Sequence, residues 1–133
     1  MTAMKEIGAE IDKATVHVVD DDDALRSSLV FLLETAGMEA SGYCQAEDFL
    51  AVAEQIARPA CVLLDLRMPG GGGLMLQEEI GRLGLDIPVI VMTAYAEVSL
   101  VVRTFRHGAM DFIEKPFSEA MLLDRVRAAF DLD

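Results

Sequence analysis

Four aspartates stand in a row, Asp20, Asp21, Asp22 and Asp23, and a fifth, Asp65, follows the apolar run Cys61–Leu64. Thr93 closes another apolar run, Val89–Met92, and Lys115 sits directly before Pro116. Lysine is scarce: the chain has Lys5, Lys13 and Lys115, and the first two lie in the N-terminal tail. An isolated lysine is ordinarily a surface side chain with its stem on apolar ground, but the place of Lys115 beside a proline at the end of a strand-like segment points to chemistry. Clustered carboxylates raise one another's pKa unless a cation neutralises them. A hard divalent ion with oxygen ligands, most naturally Mg²⁺, resolves that conflict. Carboxylates, Mg²⁺, an ammonium and a hydroxyl together make a site for a phosphoryl group. Asp65 would be the nucleophile, while Thr93 and Lys115 stabilise charge on the equatorial oxygens. Asp22 and Asp23 read more simply as helix-start aspartates, favoured by free N–H groups and the helix dipole.

These residues meet only if the fold brings five distant segments together. Short apolar runs at Thr15–Val19, Met38–Tyr43, Cys61–Leu64, Val89–Met92 and Ala109–Ile113 read as strands, the continuous ones buried on both faces of a parallel sheet. Helical spacings separate them. Leu25, Leu29, Leu32 and Leu33 end at Gly37; Phe49, Leu50 and Ile56 end at Arg58-Pro59; Leu76, Ile80 and Leu83 end at Gly84. Val98, Val101, Val102 and Phe105 stripe a fourth helix closed by Gly108, and are expected to face the core with Leu100, Arg103 and Arg106 outward. Ser118 reads as the N-cap of a fifth helix striped by Leu122, Val126 and Phe130. Such alternation predicts an α/β domain, a doubly wound five-stranded parallel sheet with five helices. In the order 2-1-3-4-5, strands one and three are neighbours, so Asp20, Asp21 and Asp65 converge at the switch point, where ligands sit beyond the carboxyl ends.

Composition narrows the function further. The chain has 133 residues, 53% of them hydrophobic, which suits one domain with a sizeable core. Asp and Glu total 23 against 11 Lys and Arg, a net charge of −12, so binding of nucleic acid by this chain itself is not expected. No apolar run approaches the ~20 residues of a membrane span, and the first 13 residues lack the apolar stretch of a secretory signal. Cys44 and Cys61 lie in apolar stretches and read as reduced core thiols of a cytoplasmic protein. His17 and His107 lack metal-ligand spacing and read as structural. The run Gly70–Gly73 is not a phosphate-binding loop, because no Lys-Ser/Thr follows it.

The stretches Val16-His17-Val18-Val19-Asp20-Asp21-Asp22, Leu64-Asp65-Leu66-Arg67-Met68-Pro69 and Asp111-Phe112-Ile113-Glu114-Lys115-Pro116-Phe117 resemble the receiver domain of two-component response regulators, the CheY-like superfamily with its flavodoxin-like fold. Within it they are most similar to the nitrogen-fixation regulator (FixJ-like) type. The resemblance implies that Asp65 accepts phosphate from a sensor histidine kinase. It implies Mg²⁺ ligation by Asp21, Asp65 and the backbone carbonyl of Arg67, with Asp20 acting largely through water. Thr93 resembles the switch hydroxyl, Phe112 the switch aromatic and Lys115 the lysine that meets the phosphoryl oxygens, and the bond before Pro116 is expected to be cis. Arg67 and Tyr95 fall where the family tunes phosphoryl lifetime. Residues 1–13 are expected as a flexible tail and 14–133 as the receiver, which only catalyses its own phosphorylation and slow dephosphorylation. Phosphorylation is expected to drive homodimerisation through helix four and strand five, with Asp111 and Glu114 offering charge to Arg103 and Arg106. A transcriptional output through a DNA-binding domain outside this chain is expected, with a stand-alone receiver as an alternative. The rival from another class is a phosphatase similar to the haloacid-dehalogenase enzymes, with Asp20 as nucleophile, since Asp20-Asp21-Asp22 satisfies its D-x-D pattern.

Overall fold

The computed structural model describes residues 14–68, 72–94 and 98–133, so the expected tail 1–13, two residues of the glycine run and Tyr95 lie outside the described residues. Five strands, β1 (Thr15–Val19), β2 (Glu39–Tyr43), β3 (Ala60–Asp65), β4 (Val89–Thr93) and β5 (Asp111–Glu114), form one sheet in the order 2-1-3-4-5. Every pairing is parallel. Each strand lies within two residues of its predicted span, and β3 and β4 run on to include Asp65 and Thr93 themselves.

Helices α1 (Asp23–Thr35), α2 (Ala46–Leu50), α3 (Gly72–Arg82), α4 (Val98–Arg106) and α5 (Glu119–Leu132) cover the two faces. Asp22 caps α1, its side chain accepting from Leu25 N, and Ser118 caps α5 by accepting from Met121 N. Gly37 ends α1 with φ 93°, a conformation open to glycine at little cost, and Gly84 and Gly108 follow α3 and α4 in the same way. The second helix is shorter than its apolar spacing suggests. It stops at Leu50, and Ala53–Gln55 form a separate 3₁₀ turn before the cis Arg58–Pro59 bond.

The pleat splits the core in two. Val16, Val18, Cys61, Leu63, Ile90, Met92 and Ile113 pack against Leu29 and Leu33 of α1 and Leu122, Val126 and Ala129 of α5. Val19, Val62, Leu64, Val89 and Val91 pack on the other side against Phe49 of α2 and Leu76 and Ile80 of α3, with Leu100 of α4 joining at the edge. Helix α4 is rotated from the expected register. Thr104 is fully buried and Leu100 packs on the core, whereas Val98 is 79% exposed and Val102 and Phe105 are each 45% exposed. The valine-phenylalanine stripe is therefore a surface feature. Cys61 is buried as expected, but Cys44, just past β2, is exposed.

Candidate functional site

The carboxyl ends of β1, β3, β4 and β5 gather the chemistry-bearing residues. β1 pairs with β3 so that Val19 lies opposite Leu64, and Asp20 follows one strand while Asp65 ends the next. One carboxylate oxygen each from Asp20, Asp21 and Asp65 lies within 4.8 Å of the other two. Lys115 reaches in from the end of β5: its Nζ is 3.3 Å from Asp20 Oδ2 and 3.6 Å from Asp65 Oδ2. Lys115 N donates to Thr93 O at 2.8 Å, so the β4–β5 register sets the lysine beside the threonine. Thr93 is fully buried, and the Lys115–Pro116 bond is cis.

Three carboxylates against one ammonium leave a negative excess in a space of ion size. That donor set, all oxygen, fits a hard divalent cation of the Mg²⁺ kind. Asp20 is completely buried. Burial pushes its carboxyl upward in pKa; the Asp22 N–H holds it down, neighbouring Asp65 raises it and Lys115 lowers it, with a net rise. Both of its oxygens are engaged, Oδ1 by Asp22 N at 2.9 Å and Oδ2 by Lys115, which leaves it poorly placed as a nucleophile. Asp21 is exposed and Asp65 is 6% exposed, its Oδ1 accepting from Arg67 N at 3.1 Å. Phe112 lies in β5 on the face that α4 covers and is half-buried.

Two residues that sequence reasoning passed over shape this site. Gly73 opens α3 so close to β3 that an added Cβ would lie 2.3 Å from Asp65 O and 2.7 Å from Leu66 Cα, so only glycine fits. A glycine run reads as a loop in sequence, and the close approach has no sequence signal. Arg26 donates to Asp20 O at 2.8 Å and to Asp23 Oδ1 at 2.5 Å. Asp23 is thus the partner of Arg26, and capping falls to Asp22 alone. The i, i+3 spacing of Asp23 and Arg26 was the available signal.

A parallel sheet with acidic residues past β1, an aspartate ending β3, a threonine ending β4 and a lysine past β5 defines the class as an α/β receiver domain. Residues 16–127 match the response regulator receiver domain family, and the chain belongs to that family. It is 45% identical over 114 residues to the transcriptional regulatory protein FixJ of Azorhizobium caulinodans, covering 86% of this chain and 54% of FixJ. Nodulation protein W of Bradyrhizobium diazoefficiens is 40% identical over 124 residues, covering 91% of this chain and 53% of that protein. The crystal structure of FixJ-N superposes with a TM-score of 0.82 at 38% identity, covering 90% of this chain and 94% of that one. The chain spans about half the length of the curated relatives it matches. It is a FixJ-like receiver domain, and the phosphatase reading of Asp20 falls with that membership.

Proposed function

We propose that residues 14–133 form a receiver in which Asp65 takes a phosphoryl group from a sensor histidine kinase and thereby switches a transcriptional output. The observation that carries this reading is the triangle of Asp20, Asp21 and Asp65 oxygens with Lys115 in contact with two of them. Asp21, Asp65 and the carbonyl of Arg67 would hold Mg²⁺ directly, and Asp20 through water. Mg²⁺ so bound supplies charge neutralisation for the transferring oxygens. Asp65 offers a carboxylate oxygen to phosphorus; as that bond forms, the bond from phosphorus to the donor's nitrogen breaks and the imidazole leaves with the electron pair. Lys115, already beside Asp65 Oδ2, meets charge on the phosphoryl oxygens, and the Thr93 hydroxyl donates to them. A protein donor reaches the site past Leu25, Ala94, Lys115, Pro116 and Phe117, which line an open cleft of about 420 Å³ at the site's rim. A cytoplasmic location suits the exposed free thiol of Cys44.

Phosphorylation adds charge at Asp65. Thr93 and Lys115 close on it, and Phe112 turns into the space that Thr93 leaves. The α4–β5 face then shifts toward a form that self-associates, a population shift between two arrangements. Incubation with acetyl phosphate and Mg²⁺ is expected to add one phosphoryl group by intact-protein mass spectrometry, and Asp65→Asn to abolish it. Full labelling of Asp65→Asn would sink the assignment.

A further inference from the structure

We propose that Arg26 is a positioning residue for the cation-binding carboxylates, acting through the main chain of Asp20, with Gly42 of β2 as the seat for its stem. This rests on reading Asp20, Asp21 and Asp65 as the Mg²⁺ site. The Asp20 carbonyl belongs to the peptide unit that joins Asp20 to Asp21, so rotating that unit swings both carboxylates. Three bonds fix it. Asp20 N donates to Tyr43 O at 3.1 Å, Arg26 Nη1 donates to Asp20 O at 2.8 Å, and Arg26 N donates to Asp22 O at 2.9 Å. Arg26 Nη2 meets Asp23 Oδ1, so one planar fork holds the loop carbonyl and the first residue of α1 together.

The fork reaches those acceptors because the stem lies flat on β2. A Cβ at Gly42 would stand 2.9 Å from Arg26 Cγ, 3.0 Å from Cδ and 3.4 Å from Nε. Gly42 is otherwise an exposed residue of an edge strand, with backbone that other residues can adopt. Nothing else in its surroundings requires glycine, and alanine would ordinarily favour the strand slightly. The side chain of Arg26 is 18% exposed and its charge is paired with Asp23.

The proposal and a plain electrostatic effect predict opposite signs. Removing a positive charge near a cation site tightens Mg²⁺ binding by simple Coulomb attraction. Loss of a brace loosens it. Titration calorimetry with MgCl₂ on the whole chain is expected to show Arg26→Ala binding about 10-fold more weakly, the low end for groups that orient metal ligands. Arg26→Lys should fall between, since it keeps the charge and loses the fork. Gly42→Ala should weaken Mg²⁺ binding in the wild-type background and change nothing in the Arg26→Ala background. Arg26→Met, which keeps the stem, replaces Arg26→Ala should that variant fail to fold cooperatively. Affinity in Arg26→Ala or Arg26→Met that is tighter, or unchanged to within about twofold, overturns the proposal. So does a Gly42→Ala effect of equal size in both backgrounds. If Asp21→Asn and Asp65→Asn bind Mg²⁺ as wild type does, the site reading itself fails, which is a separate and recognisable outcome.

Discussion

At position 17 a histidine lies inside a strand, its ring 5.8 Å from that of Tyr43 and 5.9 Å from that of Phe49. Nδ1 shares a hydrogen bond with the Tyr43 hydroxyl at 2.9 Å and Nε2 one with Thr15 Oγ1 at 3.0 Å. The Thr15 hydroxyl donates to Ala57 O and so accepts from Nε2, whereas the Tyr43 hydroxyl can donate to or accept from Nδ1; neither fixes the charge, and burial does, lowering the pKa to about 4. The unfolded chain protonates this ring near pH 6.5, the folded one only near 4. Stability from neutral His17 is therefore whole above pH 6.5 and drains away as the pH falls toward 4, by up to about 3 kcal/mol. Urea denaturation from pH 7 to pH 4 should show wild type losing more stability than His17→Gln, and parallel curves would refute the assignment. Residues of this kind differ in how legible they are. Asp20, Asp21, Asp65, Thr93 and Lys115 stood out in sequence because each follows or ends an apolar run at the same edge. Arg26 did not, because its partner in the site is a main-chain carbonyl, which every residue has.

At the scale of elements, the strands were easy to place and the helices harder to orient. A buried parallel strand is apolar on both faces, so its register hardly matters to its recognition. A nine-residue helix such as α4, with valine at 98, 101 and 102, offers two apolar stripes, and the sequence alone favours the wider one. The structure buries the narrower stripe because Thr104 satisfies itself: its Oγ1 donates to Val101 O at 2.7 Å. Opposite it, Gln77 of α3 is 1% exposed and donates from Nε2 to Thr104 O at 2.6 Å, while its buried Oε1 has no hydrogen-bond partner among the described residues. Thr104 O also accepts from His107 N and Ala109 N, so it does not depend on Gln77. An unmatched buried acceptor costs about 1–3 kcal/mol, more than one net hydrogen bond returns. Gln77→Leu, similar in volume, is expected to raise the urea midpoint with an unchanged slope, a gain of about 1 kcal/mol. A lower midpoint would mean that the Gln77–Thr104 bond between α3 and α4 contributes more than its geometry suggests.

At the scale of the molecule, a net charge of −12 sets which faces can meet. Two copies repel over most of their surface, by a long-range term that pure area arguments omit. Helix α4 is the exception, with Arg103 and Arg106 and no acidic residue among Val98–Arg106. It also carries the exposed stripe Val98, Val102 and Phe105, one side chain per turn along one face. Apolar anchors between basic rims are what a weak, switchable contact needs, and β5 beside it adds exposed Glu114 as a counter-charge. Asp111 is less available than the sequence suggested, because its Oδ1 already accepts from Arg125 Nη1 at 2.8 Å. Thr93 ends the strand before α4 and Phe112 lies in β5, so both edges of this face adjoin the proposed phosphoryl site. Untreated protein is therefore expected to be mainly monomeric at micromolar concentration, and the beryllofluoride-treated form, which mimics phosphate on Asp65, to dimerise. Val102→Asp should abolish that dimer, and Arg103→Glu should weaken it, neither affecting phosphorylation. Leu100→Ala should act on stability instead, since Leu100 packs inward. Light scattering on the treated samples decides the matter: a dimer indifferent to Val102→Asp would take α4 out of the interface and leave its apolar stripe unexplained.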